Sequence, residues 1–199
     1  MASPALLERE ITGSLQFFLD YTNLETRSAG YGLTVDCTKK LEMASIAATG
    51  FTLSAWVIAA ERGFLPKERA VEITRGTLET LLYRVPHHRG FFVHFTDMKT
   101  AERYRKSEYS TIDTALALNG VITAAEYFGD PAISELAAAI LERVDWRFLV
   151  FEDGGKTLFH MAYNPDKGGD YVQGDPGFIS RWDMAAEQRM MYLQAASQL

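Results

Sequence analysis

Apolar residues recur along this chain mostly at helical spacing, and turn-forming residues separate the runs. Ser3-Pro4 caps and opens a first helix to about Tyr21, with Leu7, Ile11, Leu15 and Phe18 along one side. A second runs from about Leu41 to Arg62 and stops at Gly63. Its small residues (Ala44, Ser45, Ala47, Ala48, Gly50) precede Phe51, Leu53, Trp56 and Ile58, which suits an inner helix packed closely on all sides. Pro66 opens a third helix to about Tyr83, and Pro86 ends it. The fourth begins near Ser110 and ends near Gly129; Asp130-Pro131 then caps and starts a fifth, to about Val144. Arg147 to Ala162, with Asp153-Gly154-Gly155 in its middle, predicts a short β-hairpin. A glycine-rich loop from Asn164 to Gly177 leads into a last helix, from Asp183 nearly to the C-terminus.

The second and fourth helices are apolar and rich in small residues, whereas the third and fifth are more amphipathic. That alternation predicts inner and outer layers, hence a mainly α fold of the α/α-array type with short β-hairpins in its loops. No repeat at fixed spacing accompanies it, so the expectation rests on element order. With 199 residues, 47% of them hydrophobic, the chain is long enough for one real core and is expected to form a single domain, 1–199.

Charge narrows the partners. The net charge is −6, and the basic residues are scattered among acids, which argues against duplex nucleic acid. Cys37 stands alone, so no intrachain disulfide and no cysteine-based zinc site is expected. The N-terminus lacks the pattern of a signal peptide, and Glu61-Arg62 close the longest apolar run short of a membrane span. A soluble, cytoplasmic protein without membrane contact or cofactor is the expectation.

Four segments carry candidate chemistry. His87-His88-Arg89-Gly90-Phe91-Phe92-Val93-His94-Phe95-Thr96-Asp97 invites a metal reading, but adjacent histidines cannot easily face one ion, and no metal is expected there. Its aromatic wall is either core or a face on which a sugar ring stacks. In Glu108 to Leu116, Ser110 and Asp113 have the form of a capping box, while Glu108 lies just outside the helix without a local duty. If that helix starts at a cleft, both acids reach its mouth. The loop Asn164 to Gly177 matches neither phosphate-binding nor calcium loops and is read as a substrate cover.

The fourth segment is Arg181-Trp182-Asp183-Met184-Ala-Ala-Glu187-Gln-Arg-Met190-Met191-Tyr192. Asp183 can serve as an N-cap. On a helix from Asp183, Glu187 shares the apolar face of Met184 and Met191, where a carboxyl group must be paired, protonated or working. Pairing would need an arginine from another helix. A raised pKa would instead suit a general acid near neutral pH, and a second carboxylate, Asp113 or Glu108, would complete the arrangement of glycoside hydrolysis.

These residues carry a resemblance. Phe17-Phe18, Gly30-Tyr31-Gly32-Leu33 with Asp36, Ala44 to Phe51, Ala59 to Gly63, Gly90 to Met98, Glu108 to Asp113, and Arg181-Trp182-Asp183 with Glu187 and Tyr192 occur in order along nearly the whole chain. Together they resemble the glucoamylase-like family of bacterial proteins, which includes endo-β-1,2-glucanases of glycoside hydrolase family 144 and a C-terminal domain of cyclic β-1,2-glucan synthases. The resemblance implies an (α/α)6 toroid with a sugar cleft at one end and inverting hydrolysis of an oligo- or polysaccharide β-glucan. By position, Glu187 is similar to the general acid, and Glu108 and Asp113 to acids that position water or bind sugar. Asp36, Phe92, His94, Asp97, Trp182 and Asp183 would line subsites. Where many members have Gly-Tyr-Asn, this chain has Met184-Ala185-Ala186. It supplies about half of the helices such a toroid needs, so an incomplete barrel is expected, paired with itself or with a separate second half. The alternative is a non-catalytic carbohydrate-binding remnant of the family.

Overall fold

The computed structural model describes residues 3–166, 176–196 and 198. Its helices are α1 (Pro4–Tyr21), α2 (Ile46–Glu61), α3 (Lys67–Tyr83), α4 (Thr111–Phe128), α5 (Pro131–Glu142) and α6 (Arg189–Ala195). Short strands connect them: β1 (Met43–Ser45), β2 (His87–His88), β3 (Phe91–Phe92), β4 (Phe95–Asp97), β5 (Tyr109–Ser110), β6 (Val150–Asp153), β7 (Lys156–Tyr163) and β8 (Phe178–Trp182).

Local chemistry sets the helix starts. Ser3 Oγ accepts the Leu6 N–H at 3.2 Å, Ser110 Oγ the Asp113 N–H at 3.3 Å, and Asp130 Oδ1 the Ile133 N–H at 3.1 Å, each satisfying an orphan donor of a first turn. Gly129, in the left-handed conformation at φ 60°, ends α4.

The inner layer is α2 against α4, and the outer layer is α3 against α5, as the apolar patterning predicts. The inner helices meet backbone to backbone. A Cβ on Gly120 would fall 2.0 Å from Gly50 O, and one on Gly50 would fall 2.5 Å from Ala117 Cα. Threonines buried around α2 satisfy one another: Thr22 Oγ1 is 2.9 Å from Thr34 Oγ1, which is 2.6 Å from Thr52 Oγ1, and Thr52 donates to Ala48 O at 2.8 Å.

Strand β7 pairs antiparallel with β6 and β5 along its length and with β8 on its other side, so the hairpin expected between 147 and 162 exists within a larger sheet. Two expectations are corrected. The second helix begins at Ile46 and not near Leu41, because Met43–Ser45 pair with β4 before the helix starts. The last helix begins at Arg189, not Asp183. Residues up to Trp182 belong to β8, and the Gln188 side chain then folds residues 184–188 into a turn by accepting the Ala186 N–H (2.8 Å) and donating to Met184 O. Of the glycine-rich loop, residues 167–175 lie outside the described residues, and with them the substrate-cover reading. No described helix is long and apolar enough to cross a membrane.

Candidate active site

Strand β1 runs directly into α2 and β5 directly into α4, so the inner helices start side by side behind a frame of short strands. Residues 92–95 thread between those starts. The Phe92 N–H donates to Thr114 Oγ1 (2.9 Å), His94 O accepts the Ile46 N–H (3.1 Å), and the His94 N–H donates to Glu108 O (2.8 Å). His94 is thereby fixed at the N-terminal ends of both inner helices, where backbone N–H groups favour negative charge.

The side chains use that setting. His94 Nδ1 donates to Glu108 Oε1 at 2.8 Å, and Nε2 faces Asp113 Oδ1 at 3.4 Å. Ionised carboxylates only accept, so both ring nitrogens are best served as N–H donors. The imidazole stacks on Phe95 with ring centroids 3.6 Å apart. Asp113 Oδ2 accepts from Ser110 Oγ at 2.5 Å, so Asp113 is both capping-box partner and cluster member. Burial works to lower the pKa of His94. The hydrogen bond to Glu108 and the charges of Asp113, Glu108 and Asp36 outweigh it and hold the imidazole above its ordinary range. Burial pushes Asp113 up; the His94 charge and the Ser110 hydroxyl oppose that without cancelling it.

Glu108, Asp113, His94 and Asp36 thus belong to one electrostatic cluster, with Asp36 exposed at its edge. The other expected site residues are placed differently. Phe92 is 0% exposed, so it cannot offer a ring face to a sugar; the Arg143 guanidinium covers the ring at 5.0 Å while donating to Leu82 O and Leu81 O at the end of α3. Asp97 closes a turn by accepting the Lys99 and Thr100 N–H groups, both at 2.9 Å, and the Thr100 hydrogen bond is the largest influence holding its carboxyl below the usual range. Trp182 is buried, and its indole N–H donates to Thr111 Oγ1 (3.1 Å), tying the end of β8 to the first residue of α4.

Asp183 caps no helix, because none begins there. It is exposed and accepts from Arg181 Nε at 2.9 Å. Glu187 lies in the turn before α6 and is exposed, as is Met184 at 57%, while Met191 is fully buried. The shared apolar face expected from a continuous helix is absent, and with it the desolvation of Glu187. Among the described residues no hydrogen bond or ion pair holds Glu187, so the interhelical arginine pair is absent there too. Nor do the described residues include a group of three or more His, Cys, Asp or Glu arranged to hold a metal ion. His87 Nδ1 accepts the Gly90 N–H at 3.1 Å, and His88 packs among Phe148, Tyr109 and Tyr163.

Neither a protein-family model nor a curated protein matches the chain. Solved structures do. An endo-β-1,2-glucanase from Chitinophaga pinensis, in complex with sophorotriose and glucose, superposes with a TM-score of 0.74 at 17% identity, covering 99% of this chain and 47% of that one. A Bacteroides uniformis protein provisionally described as a glucoamylase gives 0.73 at 19% identity, with the same coverages of 99% and 47%. A β-1,2-glucanase from Parabacteroides distasonis gives 0.66 at 19%, covering 83% of this chain and 24% of that one. The likeness is one of fold. It is of the α/α-toroid type, and the chain spans about half the length of the Chitinophaga and Bacteroides proteins.

His94 as the hub of the cluster was not legible as such in the sequence. A histidine followed after a short strand by an acid at a helix start is the nearest signal, and it is a weak one.

Proposed function

We propose that this chain carries a glycoside-hydrolase-type site acting on β-glucan, with the β-1,2 linkage favoured. The observation that carries the reading is the His94–Glu108–Asp113 cluster at the paired starts of α2 and α4, in a fold shared with two β-1,2-glucanases. In the proposed inverting reaction Glu187 protonates the glycosidic oxygen as the C1–O bond breaks. Water held by Glu108 and Asp113 attacks C1 from the opposite face and loses its proton to that carboxylate pair. Asp36, exposed beside them, would bind sugar hydroxyls.

A second reading, a carbohydrate-binding module without catalysis, is favoured by the position of Glu187 in an exposed turn outside α6. Release of reducing ends from β-1,2-, β-1,3- and β-1,4-glucans separates the two. The hydrolase reading expects activity on the β-1,2 polymer, an initial α-anomer by NMR, and a loss of at least about a thousandfold in Glu187→Gln. Activity that survives the substitution overturns the general-acid role; saturable glucan binding without hydrolysis establishes the second reading.

The proposed architecture is half of an (α/α)6 toroid, completed by a second copy or by a separate second half. Phe51 (53% exposed) and Ile58 (45%) project from the inner helix α2, half of whose residues are buried, and the fold-matched structures carry about as much chain again. A monomer by light scattering at micromolar concentration, alone and with the candidate second half, would rule this assembly out.

A further inference from the structure

A chamber open to solvent lies on the outer layer. The loop 26–31 and one side of α3 border this concavity of about 860 Å3, whose charged lining is Arg27, Arg75, Arg84, Glu72 and Glu79. Glu72 is engaged by Arg69 at 2.7 Å. Among the described residues none of the three lining arginines has a carboxylate partner within ion-pair distance. Three guanidiniums against the single remaining carboxylate, Glu79, make this concavity positive in a chain of net charge −6. A concentration of one sign of charge in a concave site focuses potential on a counter-ion.

Hydrogen bonds fix the backbone of the loop. Asn23 Nδ2 donates to Ser28 Oγ (2.8 Å), Ser28 Oγ donates to Lys99 O (2.8 Å), and the Gly30 N–H also donates to Lys99 O (2.8 Å). A Cβ on Gly30 would stand 2.2 Å from Met98 O, and one on Gly76 would stand 2.5 Å from the Tyr31 ring, so both glycines are needed for loop and helix to close this tightly. The Gly30-Tyr31-Gly32 motif builds the wall of this chamber. An adjoining hollow of about 280 Å3 shares Arg75, Glu79 and Tyr83 and continues between α3 and α5 along Leu82 and Leu136. At the junction Tyr83 is 70% exposed, an aromatic face beside the cations.

We propose that this chamber binds a small phosphate-bearing ligand, the phosphate held by Arg27, Arg75 and Arg84 and the attached ring or carbon skeleton resting on Tyr83. Guanidiniums offer paired N–H donors that match phosphate oxygens, and an exposed tyrosine supplies a stacking surface. The proposal is independent of the hydrolase reading, since none of these residues belongs to the acidic cluster.

Calorimetric titration of the purified chain with inorganic phosphate, glucose 6-phosphate, adenosine monophosphate and glucose tests it. Saturable binding is expected for glucose 6-phosphate or adenosine monophosphate, weaker binding for inorganic phosphate and none for glucose. In the double variant Arg75→Ser/Arg84→Ser the affinity falls at least about tenfold, and in the wild type it falls with added salt. Both arginines are exposed, so an unchanged melting temperature is expected to show that the variant is folded. The tighter of the two organic ligands identifies the skeleton. Absence of saturation by every phosphate at millimolar concentration, or undiminished affinity in the folded double variant, overturns the proposal.

Discussion

His94 and Glu108 are joined twice: the main-chain N–H of His94 donates to Glu108 O at 2.8 Å, and the imidazole Nδ1 donates to Glu108 Oε1, also at 2.8 Å. The link between β3 and β4 that carries the histidine and the residue leading into β5 are therefore locked in both backbone and side chain, with Asp113 on the other ring nitrogen.

Protonation of that histidine should be visible in stability. The folded pKa of His94 is raised above its ordinary value of 6.5, so the native state binds the proton more tightly than the unfolded chain. Its contribution is complete below about pH 6.5 and is lost as pH rises through the folded value. Thermal melts from pH 6 to 9 should show a declining melting temperature, and His94→Gln should flatten that decline while costing about 1–2 kcal/mol at pH 6. Parallel pH profiles for the two proteins would refute the assignment.

Asp97 should behave oppositely. Its carboxyl is held low by the Thr100 and Lys99 N–H groups, so its contribution is present above about pH 4 and disappears as pH falls through the folded pKa. Asp97→Ala is expected to cost about 1 kcal/mol at pH 7 and almost nothing near pH 2, by urea titration at each pH. A cost that is the same at both pH values would show that the turn does not depend on the charge.

The crossing of the inner helices has no room for a methyl group. Gly120→Ala places Cβ where Gly50 O stands, and the helices must separate; a loss of about 2–4 kcal/mol is expected by chemical denaturation. Gly129→Ala, at the open end of α4 with no atom near its Cβ, should cost only the strain of a left-handed backbone, about 1 kcal/mol. Equal losses would mean the close crossing does not govern stability.

Thr111 ties two elements at the site. Its hydroxyl accepts from the Trp182 indole at 3.1 Å and lies 2.7 Å from Met161 O. Thr111→Val keeps the shape and orphans a buried indole N–H, so a loss of about 1–3 kcal/mol is expected. A blue-shifted Trp182 fluorescence that matches wild type, with unchanged stability, would argue against the bond.

Helices with strong local punctuation were legible in the sequence. Pro4, Pro131, Ser110 and Gly129 start or stop helices within a residue or two of expectation, because caps and breakers act over a single turn. Small residues in the second and fourth helices foretold the inner pair, since only such residues let backbones touch. The last helix misled because Met184, Glu187 and Met191 have helical spacing, yet the sheet claims the chain through Trp182 and a glutamine turn intervenes. The resemblance places Phe92 at a sugar subsite, whereas aromatic residues in an extended run read alike whether they face solvent or core.

What the sequence by itself determined is the set of helices, their layer preferences and which acids lie near helix starts, all consequences of short-range capping and periodicity. Only the tertiary structure decided which of those acids meet. His94, Glu108, Asp113 and Asp36 come together because β4 pairs with β1, and β5 leads into α4 beside α2, contacts between distant segments that no local pattern encodes. The same long-range pairing carries β8 through Trp182 and leaves Glu187 in an exposed turn, since a strand held by its neighbour prevails over a helical spacing that has no partner to bury its face.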